Sequence, residues 1–174
     1  PAGVRLDETM MRRMDALMTA CAEEGVYVSS DLFVSRTAVP ITWRLCGVDR
    51  PGTLTGLDMK YTAPVHEGVY SNFLAFAGNW LNHTNSYSGR RYAEEPALAW
   101  LSLINEGNLD EVSSADCSSR PGWQEAWASW LSERKRTEPG IYGSVPASIP
   151  NGLGRNLHGR AFLRFLQDVE FRFA

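Results

Sequence analysis

One short apolar run constrains the fold of this chain more than any other feature of its sequence. Residues 97–104 are apolar except for Ser102, follow a turn-forming Glu-Glu-Pro segment, and end abruptly in the polar residues 105–108. A run of this length is typical of a strand covered on both faces, as in a parallel sheet, although a short buried helix has a similar pattern. Ligands of parallel α/β folds bind beyond the carboxyl ends of the strands, so the polar segment is predicted to face a pocket.

A helix followed by a strand is predicted near the start of the chain. Asp7 is a candidate N-cap, and apolar side chains recur after it at helical spacing as far as Gly25, which is a helix stop signal. Those side chains are Met10, Met14, Leu17 and Cys21. Residues 26–34 are rich in β-branched and aromatic types, which favours a strand joined to the helix by the short turn of an α/β unit.

Three further amphipathic helices are predicted downstream. Residues 66–83 carry apolar side chains at helical spacing, and residues 123–131 carry a stripe of three tryptophans that predicts core packing in preference to an exposed sugar platform. A last helix follows. Residues 35–64 and 137–157 have the Pro and Gly content of loops, and a Ser-, Asp- and Cys-containing loop is expected between Asn108 and Pro121. The key apolar positions are Val69, Phe73, Phe76, Trp80, Trp123, Trp127, Trp130, Leu131, Phe162, Phe165, Leu166 and Val169. The chain is therefore expected to be α/β, with about two parallel strands.

The composition argues against several function classes. The formal charge is −3 and the basic side chains are scattered apart from residues 134–136, so nucleic acid is not an expected partner. No stretch approaches the roughly 18 to 20 apolar residues of a membrane span. The three cysteines and three histidines lack metal-ligand spacing, and surface or capping roles are expected for the histidines. No nucleotide-binding or serine-hydrolase motif occurs, so no metal and no cofactor is predicted.

Glu106 is the leading candidate for chemistry. A carboxyl group at the rim of an apolar sheet can have its pKa raised by desolvation toward the working pH, which suits a general acid or base. Asn105 beside it can donate a hydrogen bond to a substrate hydroxyl, and Asp31 and Asn108 are candidate substrate-binding residues. For each of them the alternative is a loop residue that hydrogen-bonds local backbone, and the pattern leaves both interpretations open.

These residues resemble bacterial cellulase-like glycoside hydrolases of clan A, which are (β/α)8 barrels. The resemblance lies in LNHTNSYSGRRYAEEPALA at residues 81–99, followed by INEGNL at residues 104–109. In that family a turn of the type H-x-N-x-Y-T-G-x-x-Y is followed by D-P-A-x-A at the start of strand four, and the strand ends in Asn-Glu. Residues 24–36 resemble the third strand and its preceding helix. The chain departs from the family at Phe33, where many relatives carry His, and at Gly107, where relatives often carry Asn.

The resemblance implies a reaction and a role for each residue. Glu106 is expected to protonate the leaving glycosidic oxygen and then to act as the base for water, and Asn105 to contact the sugar at the reacting centre. The implied substrate is a β-linked polysaccharide or oligosaccharide. A retaining mechanism also needs a nucleophilic carboxylate about 5 to 5.5 Å away, and in this clan it comes from strand seven.

The resemblance also implies that residues 1–174 form an incomplete catalytic barrel domain. A full barrel takes roughly 250 residues and eight strands, so the nucleophile is expected to lie outside this chain and the chain alone to be inactive. Export to the periplasm or the exterior is expected. A noncatalytic carbohydrate-binding or degenerate barrel protein is the alternative function, and a small interaction domain in which residues 105–106 form a simple turn is a third possibility.

Overall fold

The structure is a computed structural model that describes residues 4–33, 41–105, 109 and 114–173. The chain divides into two compact units. The first comprises Pro1–Gly56 and Ser71–Asn105, and the second comprises Leu57–Tyr70 and Glu106–Ala174. The first unit contains a two-stranded sheet with its helices, whereas the described residues of the second contain helices and loops but no strand.

The first helix, α1, spans Glu8–Glu23. The side chain of Asp7 accepts a hydrogen bond from the Met10 amide at 2.8 Å, which confirms the predicted N-cap. The buried face was not predicted correctly. It carries Met11, Asp15 and Met18, whereas Met10 and Leu17 are 53% and 60% exposed. Two apolar stripes overlap on this helix, and the buried one is hard to recognise because an aspartate interrupts it.

The strands β1 (Val28–Asp31) and β2 (Leu98–Ser102) pair in parallel, as predicted. Val28 lies opposite Leu98 and Asp31 opposite Ser102, with a register irregularity after Val28. The pairing continues beyond β1, where the Leu32 amide donates to the Ser102 carbonyl at 2.9 Å. The chain is therefore a mixed helix and strand protein with a parallel sheet, as expected of an α/β fold.

Only one face of this sheet is packed within the described part of the first unit. Leu32, Val28 and Leu101 pack into a core that α1 shares with the helix preceding β2. On the other face Trp100 is 70% exposed, so the prediction that this strand is covered on both faces was wrong for the described residues. The physical reason is the layer count, because a two-stranded sheet with helices on one side leaves its other face open.

The segment between the strands contains more helix than predicted. A 3-10 turn at Trp43–Cys46 and helix α2 at Gly56–Thr62 lie within the region expected to be a loop, while residues 34–40 lie outside the described residues. Helix α3 spans Glu67–Leu81 and confirms the prediction for residues 66–83. It precedes the turn that leads, through a 3-10 turn at Tyr92–Glu94, into β2.

The second unit is built on an aromatic core. Its helices are α4 at Ser114–Ser119, α5 at Trp123–Thr137, α6 at Pro139–Tyr142 and α7 at Leu157–Glu170, with a 3-10 turn at Phe171–Phe173. Helices α4 and α6 both fall in stretches that were predicted to be loops.

The tryptophan stripe of α5 packs into this core. Trp123 and Trp127 are fully buried, and the Trp123 indole donates to the Tyr61 carbonyl at 2.7 Å. Trp130, which is half-buried, donates to Asp168 at 2.8 Å. The prediction of core packing is confirmed, because buried indoles with satisfied N–H groups offer no face to a sugar.

No helix in the described ranges is long and apolar enough to cross a membrane. The same ranges contain no group of three or more His, Cys, Asp or Glu side chains placed to hold a metal ion.

Candidate functional site

The carboxyl ends of β1 and β2 bring two predicted site residues to one edge of the sheet. The Asn105 amide donates to the Phe33 carbonyl at 3.0 Å, so the two segments are still adjacent beyond the strands themselves. Asp31 is the last residue of β1, lies opposite Ser102 and is exposed. Asn105 is half-buried. An exposed carboxylate and a neighbouring amide at the carboxyl edge of a parallel sheet are placed where such folds bind ligands.

The other two predicted site residues, Glu106 and Asn108, lie outside the described residues. Glu106 directly follows Asn105 in the sequence. The predicted site is thus described for Asp31 and Asn105, and its acid/base residue stays a prediction.

The amino end of the sheet carries a buried polar network that sequence reasoning missed. Asp15 of α1 is only 1% exposed, and its carboxylate accepts four hydrogen bonds. Its Oδ1 atom bonds to His83 Nε2 and to the Tyr92 hydroxyl, both at 2.8 Å. Its Oδ2 atom accepts from the Ser86 amide at 3.0 Å and from the Ser86 hydroxyl at 2.9 Å. A buried carboxylate with four donors is fully satisfied.

Asn85 adds a second attachment between the same turn and α1. Its side-chain nitrogen donates to the Asp15 carbonyl and to the Thr19 hydroxyl, both at 3.1 Å. Its side-chain oxygen accepts from the amides of Tyr87, at 2.9 Å, and Ser88, at 3.2 Å. Asn85 is completely buried. The turn of residues 82–92 is therefore held to α1 by two buried side chains, Asp15 and Asn85, whose hydrogen bonds are satisfied.

The network shifts the acidity of its two buried members in opposite directions. Burial by itself raises the pKa of Asp15, but the hydrogen bonds from Ser86, Tyr92 and His83 outweigh it, so the pKa lies below its usual value. Burial, together with the hydrogen bond to Asp15, raises the pKa of the Tyr92 phenol well above its usual value. Asp15 is therefore a stable carboxylate and Tyr92 a stable neutral donor.

The arrangement of the network suits positioning rather than catalysis. The Ser86 hydroxyl donates to Asp15 and not to His83. Because the pKa of Asp15 is lowered, this carboxylate is too weak a base to activate Ser86 as a nucleophile. The turn leads into the amino end of β2, the end that in parallel α/β folds contributes stability rather than chemistry. Asp15 thus fixes the segment from which the strand carrying Asn105 starts.

The histidines have different environments. His66 accepts a hydrogen bond from the Val69 amide at 3.4 Å in the first turn of α3, which agrees with the expected capping role. His158 bonds to the Ser148 carbonyl at 2.8 Å. His83 departs from the expectation, because it belongs to the buried network. A signal for that network was present in the sequence, since Asp15 lies between Met11 and Met18 on a helical stripe.

Comparison with known proteins leaves the family open. No family model matches the chain, and neither the curated proteins nor the solved structures give a match.

Proposed function

We propose that this chain forms part of the active site of a retaining glycoside hydrolase that cleaves β-linked poly- or oligosaccharides. The observation that carries the proposal is the position of Asn105. It lies at the carboxyl end of β2, hydrogen-bonded to the neighbouring segment at Phe33, and Asp31 lies at the same edge. Glu106 is the next residue in the sequence, and catalytic carboxylates of parallel α/β barrels follow strand ends of this kind.

The architecture supports the proposal in a second way. Two parallel strands that share a core with α1 and α3 correspond to the repeating unit of a (β/α)8 barrel. In such a barrel the open face, with Trp100, is the one turned toward the remaining strands. We accordingly propose that the chain belongs to an incomplete barrel of this kind, from an exported protein.

Within the proposed mechanism Glu106 donates a proton to the leaving glycosidic oxygen and later removes one from the attacking water. Asn105 and Asp31 hydrogen-bond sugar hydroxyls at the carboxyl edge of the sheet, with Asn108 near them in the chain. The covalent step needs a second carboxylate about 5 to 5.5 Å from the first. We assign no residue of this chain to that role, so residues 1–174 alone are expected to turn over substrate poorly.

The acid/base assignment is tested with Glu106→Gln in a longer protein that carries these residues and hydrolyses β-glycosides. We expect a loss of about 10²- to 10⁴-fold with a poor leaving group and a much smaller loss with a dinitrophenyl leaving group, which needs no proton. Added azide should restore turnover and give the β-glycosyl azide, because azide attacks the covalent intermediate without a base.

Glu94→Gln is the matched control, because Glu94 is an exposed carboxylate paired with Arg91. It should leave all rates unchanged. A Glu106→Gln loss that is equal for both leaving groups, with no azide product, would refute the assignment. Robust retaining hydrolysis by residues 1–174 alone would instead contradict the absence of the nucleophile. Sugar binding by the longer protein without any hydrolysis would replace the hydrolase with a noncatalytic carbohydrate-binding protein.

A further inference from the structure

A cleft of about 220 Å³ opens at the amino end of the sheet, within the first unit. It lies between the end of α1 and the start of β2, and its walls include Gly25, Tyr27, Arg90, Glu95 and Pro96. The Val28 amide donates to the Ala97 carbonyl at 2.7 Å, which fixes the two walls relative to each other. The volume lies below the roughly 300–1,000 Å³ of pockets for drug-sized ligands, so it suits one small ring.

Glu95 gives this cleft a carboxylate with one oxygen that accepts no hydrogen bond from the described residues. The residue is 5% exposed, and its Oε1 atom accepts from the Ala97 amide at 3.2 Å. Its Oε2 atom has no hydrogen-bond donor among the described residues. That oxygen is not enclosed, so solvent reaches it. A ligand hydroxyl in the cleft can donate to it in place of water.

Arg90 and Tyr27 complete the polar and aromatic lining. The backbone of Arg90 is fixed, since its carbonyl accepts from the Asn85 amide at 2.8 Å. Its exposed guanidinium forms no ion pair with any described residue. The Tyr27 side chain is 76% exposed. The cleft therefore offers a carboxylate acceptor, a forked donor and an aromatic face around one small volume.

A pyranose ring has the complementary chemistry. Its hydroxyl groups both donate and accept hydrogen bonds, and one of its faces presents apolar C–H groups that pack on an aromatic ring. In the cleft over Asp15, of about 230 Å³, the buried carboxylate already has four donors and no aromatic side chain other than His83 lines the walls.

We infer that the cleft of Tyr27, Arg90 and Glu95 is a noncatalytic binding site for one sugar unit of a polysaccharide. The choice of ligand rests on the proposed function. Ala97 and Asn105 are eight residues apart along the chain, so the cleft and the catalytic edge lie at most about 26 Å apart at ~3.3 Å per residue. A long polysaccharide can occupy the cleft and the catalytic edge at the same time, whereas a short oligosaccharide occupies only one of them.

The test is a titration of the ¹⁵N-labelled chain, as Glu106→Gln, with cellotetraose and with mannotetraose, followed by amide NMR shifts. We expect saturable shifts of the Tyr27, Arg90 and Glu95 amides with at least one sugar. Glu95→Gln keeps an oxygen for the Ala97 amide but removes the charge, and it should raise the Kd about tenfold. Tyr27→Ala, at an exposed position, should raise the Kd similarly and cannot fail through loss of the core.

Glu94→Gln and Arg91→Ala are the matched controls, because this neighbouring pair lies at the surface and does not line the cleft. They should change the Kd by less than about twofold. Unchanged Kd values in both Glu95→Gln and Tyr27→Ala, or shifts confined to the region of Asn105, would overturn the inference. If free lysine or glycine bound in the cleft and neither sugar did, the inference would be overturned as well.

The titration, taken together with the hydrolysis assay of Glu106→Gln in the longer protein, separates the two proposals. Hydrolysis that depends on Glu106, with no sugar-induced shifts in the cleft, refutes the binding site and leaves the hydrolase intact. Sugar-induced shifts in the cleft, together with hydrolysis that Glu106→Gln does not affect, support the binding site and refute the catalytic role of Glu106.

Discussion

Asp15→Ala should be among the most destabilising single substitutions in the first unit. It removes the acceptor of the Tyr92 hydroxyl, of His83 Nε2 and of two Ser86 donors. Tyr92 is 1% exposed, so its hydroxyl would be left buried without a partner, at a cost of about 1–3 kcal/mol. With the loss of charge-assisted bonds from the other donors, the free energy of unfolding should fall by about 3–5 kcal/mol.

The assay is urea unfolding followed by far-UV circular dichroism, arranged as a double-mutant cycle with Tyr92→Phe. Tyr92→Phe alone should cost about 1–2 kcal/mol and close to nothing in the Asp15→Ala background, where the hydroxyl has lost its acceptor. Asp7→Ala is the matched control, because it removes an exposed helix cap worth about 1 kcal/mol and should not couple to Tyr92. Additive costs of Asp15→Ala and Tyr92→Phe would refute the network as the source of stability.

The pH dependence of the Asp15→Ala effect has a definite sign. The pKa of Asp15 is lower in the folded chain than its ordinary value of 3.8, so the unfolded state binds the proton more tightly. The contribution of Asp15 is therefore complete above about pH 4 and is lost as the pH falls through the folded pKa. The difference in unfolding free energy between the wild type and Asp15→Ala should shrink below pH 4. A difference that stays constant down to pH 2 would contradict this assignment.

Three other outcomes are expected. The pKa of the Tyr92 phenol is raised in the folded chain from 10.0, so the stability that Tyr92 contributes should be lost as the pH rises above about 10. In a pH series of thermal melts, the melting temperature of Tyr92→Phe should therefore fall less than that of the wild type over this range. Gly159→Ala should lower the free energy of unfolding in urea by about 1–3 kcal/mol, because a Cβ there would lie 2.1 Å from a backbone oxygen. Gly140→Ala is the control: its Cβ meets open space, so the substitution should leave the stability unchanged or raise it. Met18→Ala should lower the free energy of unfolding by about 2–5 kcal/mol, and Leu17→Gln by less than about 0.5 kcal/mol, because Met18 is buried and Leu17 is exposed. Equal losses of stability would mean that α1 packs by its other face.

Part of the candidate site could be predicted from the sequence because its signals are local. The run before Asn105 was recognisable as a strand, and the parallel pairing with the segment ending at Asp31 followed from the order of helix and strand. Roles for Glu106 and Asn108 stay predictions. The buried network was missed because Asp15 and its partners lie 68 to 77 residues apart in the chain, a separation that no periodicity spans.

The sequence by itself determined the four longer helices and the Asp7 cap, since that cap acts on an amide three residues away and an apolar period needs no other segment. The tertiary structure alone decided which stripe of α1 is buried and that the sheet face with Trp100 stays open. It also decided that Asp15 holds the turn before β2. Burial and the satisfaction of buried polar groups depend on contacts between distant segments, and such contacts exist only once the chain has folded.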